Sequence, residues 1–361
     1  MSGERIVDGK RALAGERAFV ARIALAGGIL TVALGFAIRG FGGTIPLAYQ
    51  YVPLLVSALV LGVPHGAVDH LVLPRARDDP ITRRSLAFVG GLYLLVGGSY
   101  AAVWFLAPAV AFVLFIVVTL LHWGQGDVYA LVELTGASHL STRTIRASTA
   151  LVRGGLPMLV PFVAFPEQYR FVAATLIGSF DPGAVGVLDS VFTPGVRIGV
   201  AVGFGLLAAA TFGIGYRRAS RTDAVRPWLI DAGETLSLIA YFGLVPPILA
   251  IGLYFPLWHS LRHILRTMLV DDVAAAALSD RSTGRALWRF TRDAAPLTAG
   301  ALLVLGAVAI AVPQTPTTVP DAVGVYLVFI AVLTLPHVVV VSLLDRQLDL
   351  WSPQRLSRSG T

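Results

Sequence analysis

The sequence predicts an all-α, polytopic membrane bundle of about ten transmembrane helices with both termini cytoplasmic. Three observations carry that prediction. Apolar residues fill 56% of the 361 positions and charged residues only 14%, against about 45–50% and about 25% in soluble globular domains. Apolar runs of the roughly 20 residues that a hydrocarbon core about 30 Å thick requires recur along the chain, and mean hydropathy is +0.76. The basic residues gather between the runs and alternate with each crossing.

The runs lie at 19–38, 51–73, 86–106, 108–131, 147–165, 195–215, 228–245, 247–268, 294–313 and 322–345. Little more than Ala107-Pro108 separates the third from the fourth, and Pro246-Pro247 separates the seventh from the eighth. Proline cannot continue a hydrogen-bonded helix cleanly, so both pairs mark tight turns. Before the first run stand charged and polar residues with no small-residue cleavage site, which argues against a removed signal peptide. Segment 166–194 is the one long connection, and its Asp181-Pro182-Gly183 and Thr193-Pro194-Gly195 stretches leave room for a short interfacial helix. The chain thus divides into a basic cytoplasmic segment, 1–18, a single transmembrane domain, 19–345, and a cytoplasmic tail, 346–361.

The charges test this division. Lys10 is the single lysine among 28 basic residues, and 23 of these fall in segments 1–18, 74–85, 132–146, 216–227, 262–293 and 346–361. Arg39 and Arg170 fall in the intervening loops, while Arg22, Arg153 and Arg197 lie within spans. A missed or false span would break the alternation, and the positive-inside rule then sets both termini in the cytoplasm of a multi-pass cell-membrane protein. A net charge of +7 distributed in this way anchors loops to a membrane face and makes no groove for nucleic acid. With no cysteine, disulfides, iron–sulfur clusters, covalent haem attachment and thiolate zinc sites are excluded.

Six of the seven histidines fall inside spans: His65, His70, His122, His259, His263 and His337. They occupy the second, fourth, eighth and tenth runs, all of which descend from outside to inside. Counted from the outer ends at 1.5 Å per residue, His65, His122, His259 and His337 lie within about 5 Å of a common depth. Ionisable groups at bilayer depth cost several kcal/mol unless they pair, line a cavity or hold a metal. His139, in a polar inner loop, reads as a solvated bystander.

Local sequence sharpens the picture. In Gly62-Val63-Pro64-His65-Gly66-Ala67-Val68-Asp69-His70, His65 and Asp69 are four apart, which on a helix shares a face and lets Asp69 accept the second N–H of a ligating imidazole. A polar Gly124-Gln125-Gly126-Asp127 patch follows His122-Trp123. His259 and His263 are spaced to reach one metal from successive turns, and Pro336-His337 repeats the Pro64-His65 pairing. Asp127 reads as a solvated or supporting acid near the inner surface. Asp231 and Glu234 read as snorkelling or paired with Arg226, with Glu234 also able to back the metal ligands. Imidazole-only ligation suits iron, copper, zinc or nickel, and a site deep in a bundle favours an apolar substrate arriving from lipid. Two rivals stand beside that reading: a transporter for a divalent metal or protons through the histidine layer, and a haem protein with axial histidines.

At these residues the sequence resembles the Brp/Blh family, the membrane-embedded β-carotene 15,15′-dioxygenases of bacteria and archaea. The matching stretches are Gly-x-Pro-His-Gly-Ala-x-Asp at 62–69, His-Trp-Gly at 122–124 and Trp-His-Ser-x-Arg-His at 258–263, spread over about 200 residues. The resemblance implies oxidative cleavage of the central C15=C15′ bond of all-trans-β-carotene by dioxygen. The product would be two retinals, chromophore for a microbial rhodopsin as partner. It also implies a non-haem iron, Fe(2+), held by four histidines that carry over to His65, His122, His259 and His263. Asp69 matches the acid of the family motif, and His70 and His337 are further candidates in the same layer. The aromatics beside the ligands, Trp123, Tyr254, Phe255 and Trp258, are then candidates to line a tunnel for the polyene. The amino terminus and first span are expected to lie outside the shared core.

Overall fold

The computed structural model describes residues 2–41, 45–222 and 225–352. Residues 353–361, most of the expected tail, lie outside them. All secondary structure among the described residues is helical. Helix α1 (Ser2–Phe41) runs without a break through the expected 1–18 boundary. It is followed by α2 (Leu47–Gln50), α3 (Val52–Ser57), α4 (Asp69–Arg75), α5 (Arg83–Leu92), α6 (Gly98–Leu106) and α7 (Pro108–Tyr129). Then come α8 (Arg143–Ala164), α9 (Pro166–Gly178), α10 (Leu188–Val191), α11 (Pro194–Ala219) and α12 (Val225–Leu244). The chain closes with α13 (Pro247–Tyr254), α14 (Leu261–Val270), α15 (Asp272–Ser279), α16 (Thr283–Ala311) and α17 (Val319–Gln347).

Starts and joins follow from local chemistry. Proline opens α7, α9, α11 and α13, where its missing N–H is not needed and its fixed φ suits the first turn. Thr318 and Asp321 cap the start of α17 reciprocally, each side chain accepting from the other's backbone. Three π-turns continue helices without ending them: Tyr93–Gly97 joins α5 to α6, Ala130–Leu134 extends α7, and Phe255–Ser260 joins α13 to α14.

Among the described residues, seven helices are long and apolar enough to cross a membrane: Gly15–Gly40, Arg83–Leu106, Pro108–Leu134, Arg143–Ala164, Pro194–Ala219, Thr283–Ala311 and Val319–Gln347. Two further runs, α12 and the rod at 247–270, have comparable length but carry buried charges. Only 6% of the most apolar stretch of Thr283–Ala311 is buried, with Leu303 77% and Ile310 89% exposed. A helix so apolar on its outer face is at home in lipid, not water.

The expected continuous helix over 51–73 is not one. It breaks into α3, a turn, a 3-10 segment at Val63–Gly66, and α4. Leu61 takes a φ of 65° in the turn, and a Cβ on Gly62 would lie 2.2 Å from the Ser57 carbonyl oxygen. Pro64 cannot donate to the helix ladder. Hydropathy cannot see these three local features, because the broken segment is as apolar as a helix would be.

Around this segment the other helices pack closely. α7 lies along α8, where a Cβ on Gly124 would sit 1.9 Å from the Ala150 oxygen and one on Gly154 1.7 Å from the Leu120 oxygen. The two backbones therefore touch through small residues, as membrane helices commonly do. α17 passes α7, α9, α16 and the π-turn at Tyr93–Gly97, and α1 crosses α12, α15 and the π-turn at Phe255–Ser260.

Candidate metal centre and substrate cavity

Five histidines from five elements meet inside the bundle. His65 comes from the 3-10 segment, His122 from α7, His259 from the second half of the π-turn at Phe255–Ser260, His263 from α14 and His337 from α17. Ring centroids lie 4.7 Å apart for His122 and His259, 4.8 Å for His122 and His337, 4.9 Å for His263 and His337, and 5.0 Å for His65 and His337. His259 and His263 stand 5.4 and 5.5 Å from His65. His70, expected in the same layer, is half-buried on α4 and takes no part in these ring contacts. The 3-10 segment and the turn after it rotate it away from the face that His65 presents.

Tautomers can be assigned from the fixed partners. His65 Nδ1 donates to the Gly62 carbonyl, which can only accept, so its Nε2 presents a lone pair. His337 Nδ1 meets Asp69 Oδ2 at 2.7 Å, and the Tyr93 hydroxyl donates to the same oxygen at 2.7 Å. Asp69 therefore holds His337 and not His65, because the intended i,i+4 pair is no longer on one helix. His122 and His259 bring their Nε2 atoms to 3.1 Å, the separation expected of neighbouring ligands with metal–nitrogen bonds of about 2.0–2.1 Å. The Nε2 atoms of His263 and His337 are buried without a hydrogen-bond partner. Unpaired buried nitrogens facing one another are what a metal ion would satisfy. The donor set, all neutral imidazole, fits a divalent first-row ion.

Behind the cluster lies a buried ionic network that hydropathy obscured. Asp127 accepts from Trp258 Nε1 at 3.0 Å and from Arg262 at 3.2 Å. Arg262 pairs with Glu234 at 2.6 Å and stacks over the Trp258 ring at 4.1 Å. Arg153 joins Glu234 at 2.8 Å and Asp231 at 2.9 Å, and reaches within 3.5 Å of Asp127. Asp127 is thus fully enclosed rather than solvated, and Asp231 and Glu234 pair with Arg153 and Arg262 rather than Arg226. His139 is a member too, 1% exposed with Nε2 3.1 Å from Asp231, and not a solvated bystander. Arg153 was the missed residue. Its signal was a lone arginine inside one apolar run opposite two acids inside another, a pairing that bilayer depth demands.

A cavity of about 1160 Å³, mouth included, ends on His65, His122 and His259. Trp123 and Phe255, in ring contact with His259 and His65, line it beside the imidazoles, and Ile116, Met158, Ile251, Pro247, Pro320 and Phe171 are also among its lining residues. From His122 back to Phe112 on its wall is ten residues of α7, about 15 Å along the axis. Tyr254 and Trp258, expected on the tunnel wall, are not among its lining residues. They stack on each other, with ring centroids 5.8 Å apart, between the wall and the ionic network. Apart from the imidazoles the wall's polar groups are isolated hydroxyls such as Thr119, so it offers no continuous polar path for a cation or proton.

The comparisons with known proteins agree with this chemistry. The sequence model of the family described as beta-carotene 15,15′-dioxygenase matches residues 56–345, which include all five clustered histidines. The probable beta-carotene 15,15′-dioxygenase Blh of Halobacterium salinarum is 46% identical over 330 residues, 91% of this chain and 94% of the relative. The probable beta-carotene 15,15′-dioxygenase Brp of the same species is 34% identical over 339 residues, 90% of this chain and 91% of the relative. No solved structure matches the chain at a significant level. With the match spanning most of its length and every helix that contributes to the histidine cluster, the chain belongs to the β-carotene 15,15′-dioxygenase family.

Proposed function

We propose that this protein cleaves the C15=C15′ bond of all-trans-β-carotene with dioxygen at a non-haem ferrous centre held by His65, His122, His259 and His263. One carotene and one dioxygen give two all-trans-retinals, so atoms balance with no further reductant. The observation that carries the reading is that an apolar cavity ends on imidazoles. Ferrous iron, when bound, supplies the one-electron chemistry that lets ground-state dioxygen react with a closed-shell alkene.

The chain's own residues do the rest. Carotene has no polar handle, so the wall must choose the bond by shape and length. Trp123 lies 5.0 Å from Tyr254 and 5.4 Å from His259, centroid to centroid, giving the polyene a rigid aromatic face beside the imidazoles. Phe255 packs edge-on against His65 at 5.6 Å. Trp258 and Tyr254 act from behind: Asp127 holds Trp258 directly by accepting from its Nε1, and Glu234 does so through Arg262 stacked on its ring. Ten crossings with both termini in the cytoplasm of the cell membrane remain our reading of the arginine alternation, and a retinal-binding rhodopsin is the consumer this product suits.

Pigment chromatography of β-carotene-accumulating cells tests the function. Retinal is expected with the unaltered chain and not with His259→Ala or His122→Ala. Intact β-carotene with the unaltered chain, present in the membrane and supplied with iron, refutes the proposal.

A further inference from the structure

His337 stands in the middle of the cluster rather than beside it. It has ring contacts with His65, His122 and His263. Two sets of potential ligand atoms, from His65, His122 and His337 and from Asp69, His263 and His337, each lie within 4.8 Å of one another. Only His337 belongs to both.

Its surroundings point the ring inward. Pro336 lacks the N–H that would bond the Val332 carbonyl one turn earlier. The π-turn at Tyr93–Gly97 comes close there, where a Cβ on Gly97 would lie 3.5 Å from the Val332 oxygen and 3.7 Å from Pro336. That seating brings the Tyr93 hydroxyl to Asp69. Gly66 leaves the room on the other side, since a Cβ there would lie 3.2 Å from His337 Nδ1. A carboxylate accepting from both the phenol and the imidazole fixes the proton on Nδ1 and leaves the Nε2 lone pair facing the other histidines. Nε2 is buried and has no hydrogen-bond partner, which a histidine present only for packing would have no reason to keep.

We propose that His337 is a further imidazole ligand of the same centre, and that Asp69 and Tyr93 are positioning residues that fix its tautomer and ring plane. This rests on the metal-centre reading above. Five imidazoles are one fewer than a six-coordinate ion accepts, so dioxygen would still have a place.

Cobalt(II) is the probe, because its visible absorption reports the kind and number of ligands independently of turnover. Metal-free protein in detergent is titrated for the unaltered chain, His337→Gln, His337→Gly, Tyr93→Phe and, as reference, His65→Ala. Glutamine nearly fills the ring's volume, and circular dichroism confirms equal helicity. Cobalt binding is expected to weaken at least about tenfold in His337→Gln with a changed spectrum. Added imidazole is expected to restore the spectrum in His337→Gly. Tyr93→Phe is expected to weaken binding by about tenfold, at the low end of the effect of losing an outer-shell partner. Unaltered affinity and spectrum in His337→Gln, with binding lost in His65→Ala, overturns the fifth ligand and leaves the four-histidine centre standing. An unaltered chain that takes up neither cobalt nor ferrous iron overturns the centre and the fifth ligand together.

Discussion

Replacing Gly124 by alanine tests how closely the centre depends on the contact between α7 and α8. The added Cβ would lie 1.9 Å from the Ala150 oxygen, where real Cβ atoms stay beyond 3.0 Å, so the helices must part by at least about 1.1 Å. If α7 yields, His122, two residues earlier, shifts against its 3.1 Å neighbour His259. If α8 yields, Arg153 is drawn off Asp127, already 3.5 Å away. Overpacking of this kind costs about 1–3 kcal/mol, and misplacing reacting groups by 1 Å costs about 100-fold in rate. Retinal formed per unit of folded protein, with thermal unfolding in detergent, measures both. Gly124→Ala and Gly154→Ala are expected to lose activity by about that factor while still folding. Gly199→Ala on α11, whose Cβ would meet nothing within 4 Å, is expected to behave as the unaltered chain. Undiminished yield and stability in Gly124→Ala would refute the backbone contact.

Three further outcomes follow from the same geometry. Arg153→Met leaves Asp231 and Glu234 without their shared guanidinium and is expected to cost about 3–5 kcal/mol, read as loss of folded protein on heating in detergent; an unchanged melting profile would contradict the network. Ile116→Trp, on the cavity wall six residues before His122 and about 9 Å from it along α7, narrows the cavity and is expected to cut retinal formation at least about tenfold, a barrier increase of about 1.4 kcal/mol, while leaving metal content unchanged. Full turnover in that variant would place the polyene elsewhere. Chelation is expected to abolish activity, with ferrous iron restoring it and zinc failing to do so, and restoration by zinc would rule out redox chemistry at the centre.

Much of this architecture was legible in the residues, and the exceptions have physical causes. Apolar run lengths report long apolar helices, so α7, α11 and α17 stand near their expected bounds, while α16 begins eleven residues before its run, at Thr283. The histidines that counting along the runs sets at similar positions do meet in one cluster, because rise per residue is nearly constant in a helix. The same counting failed at 51–73, where Leu61, Gly62 and Pro64 break the helix while leaving its hydropathy intact. Once the segment was broken, i,i+4 logic no longer applied, so Asp69 turned to His337 and His70 left the cluster. Aromatics beside ligands often line a cavity, and the sequence places Trp258 and Tyr254 there on that ground alone. Their place was set instead by Asp127 and Arg262, which are distant in sequence and whose pairing no local pattern reveals.

The π-turn at Phe255–Ser260 holds one residue more than an α-helix of the same span would need. Deleting a single residue within it would restore ordinary helical bonding with the flanking helices still in phase, and would erase the widened turn that presents His259. His259 would then face different neighbours, although no side chain important to the chemistry had been changed. Among chains that build this centre, the distance in sequence from Pro247 to His263 is therefore itself a constraint. Alignments should show substitutions within that stretch and no gaps.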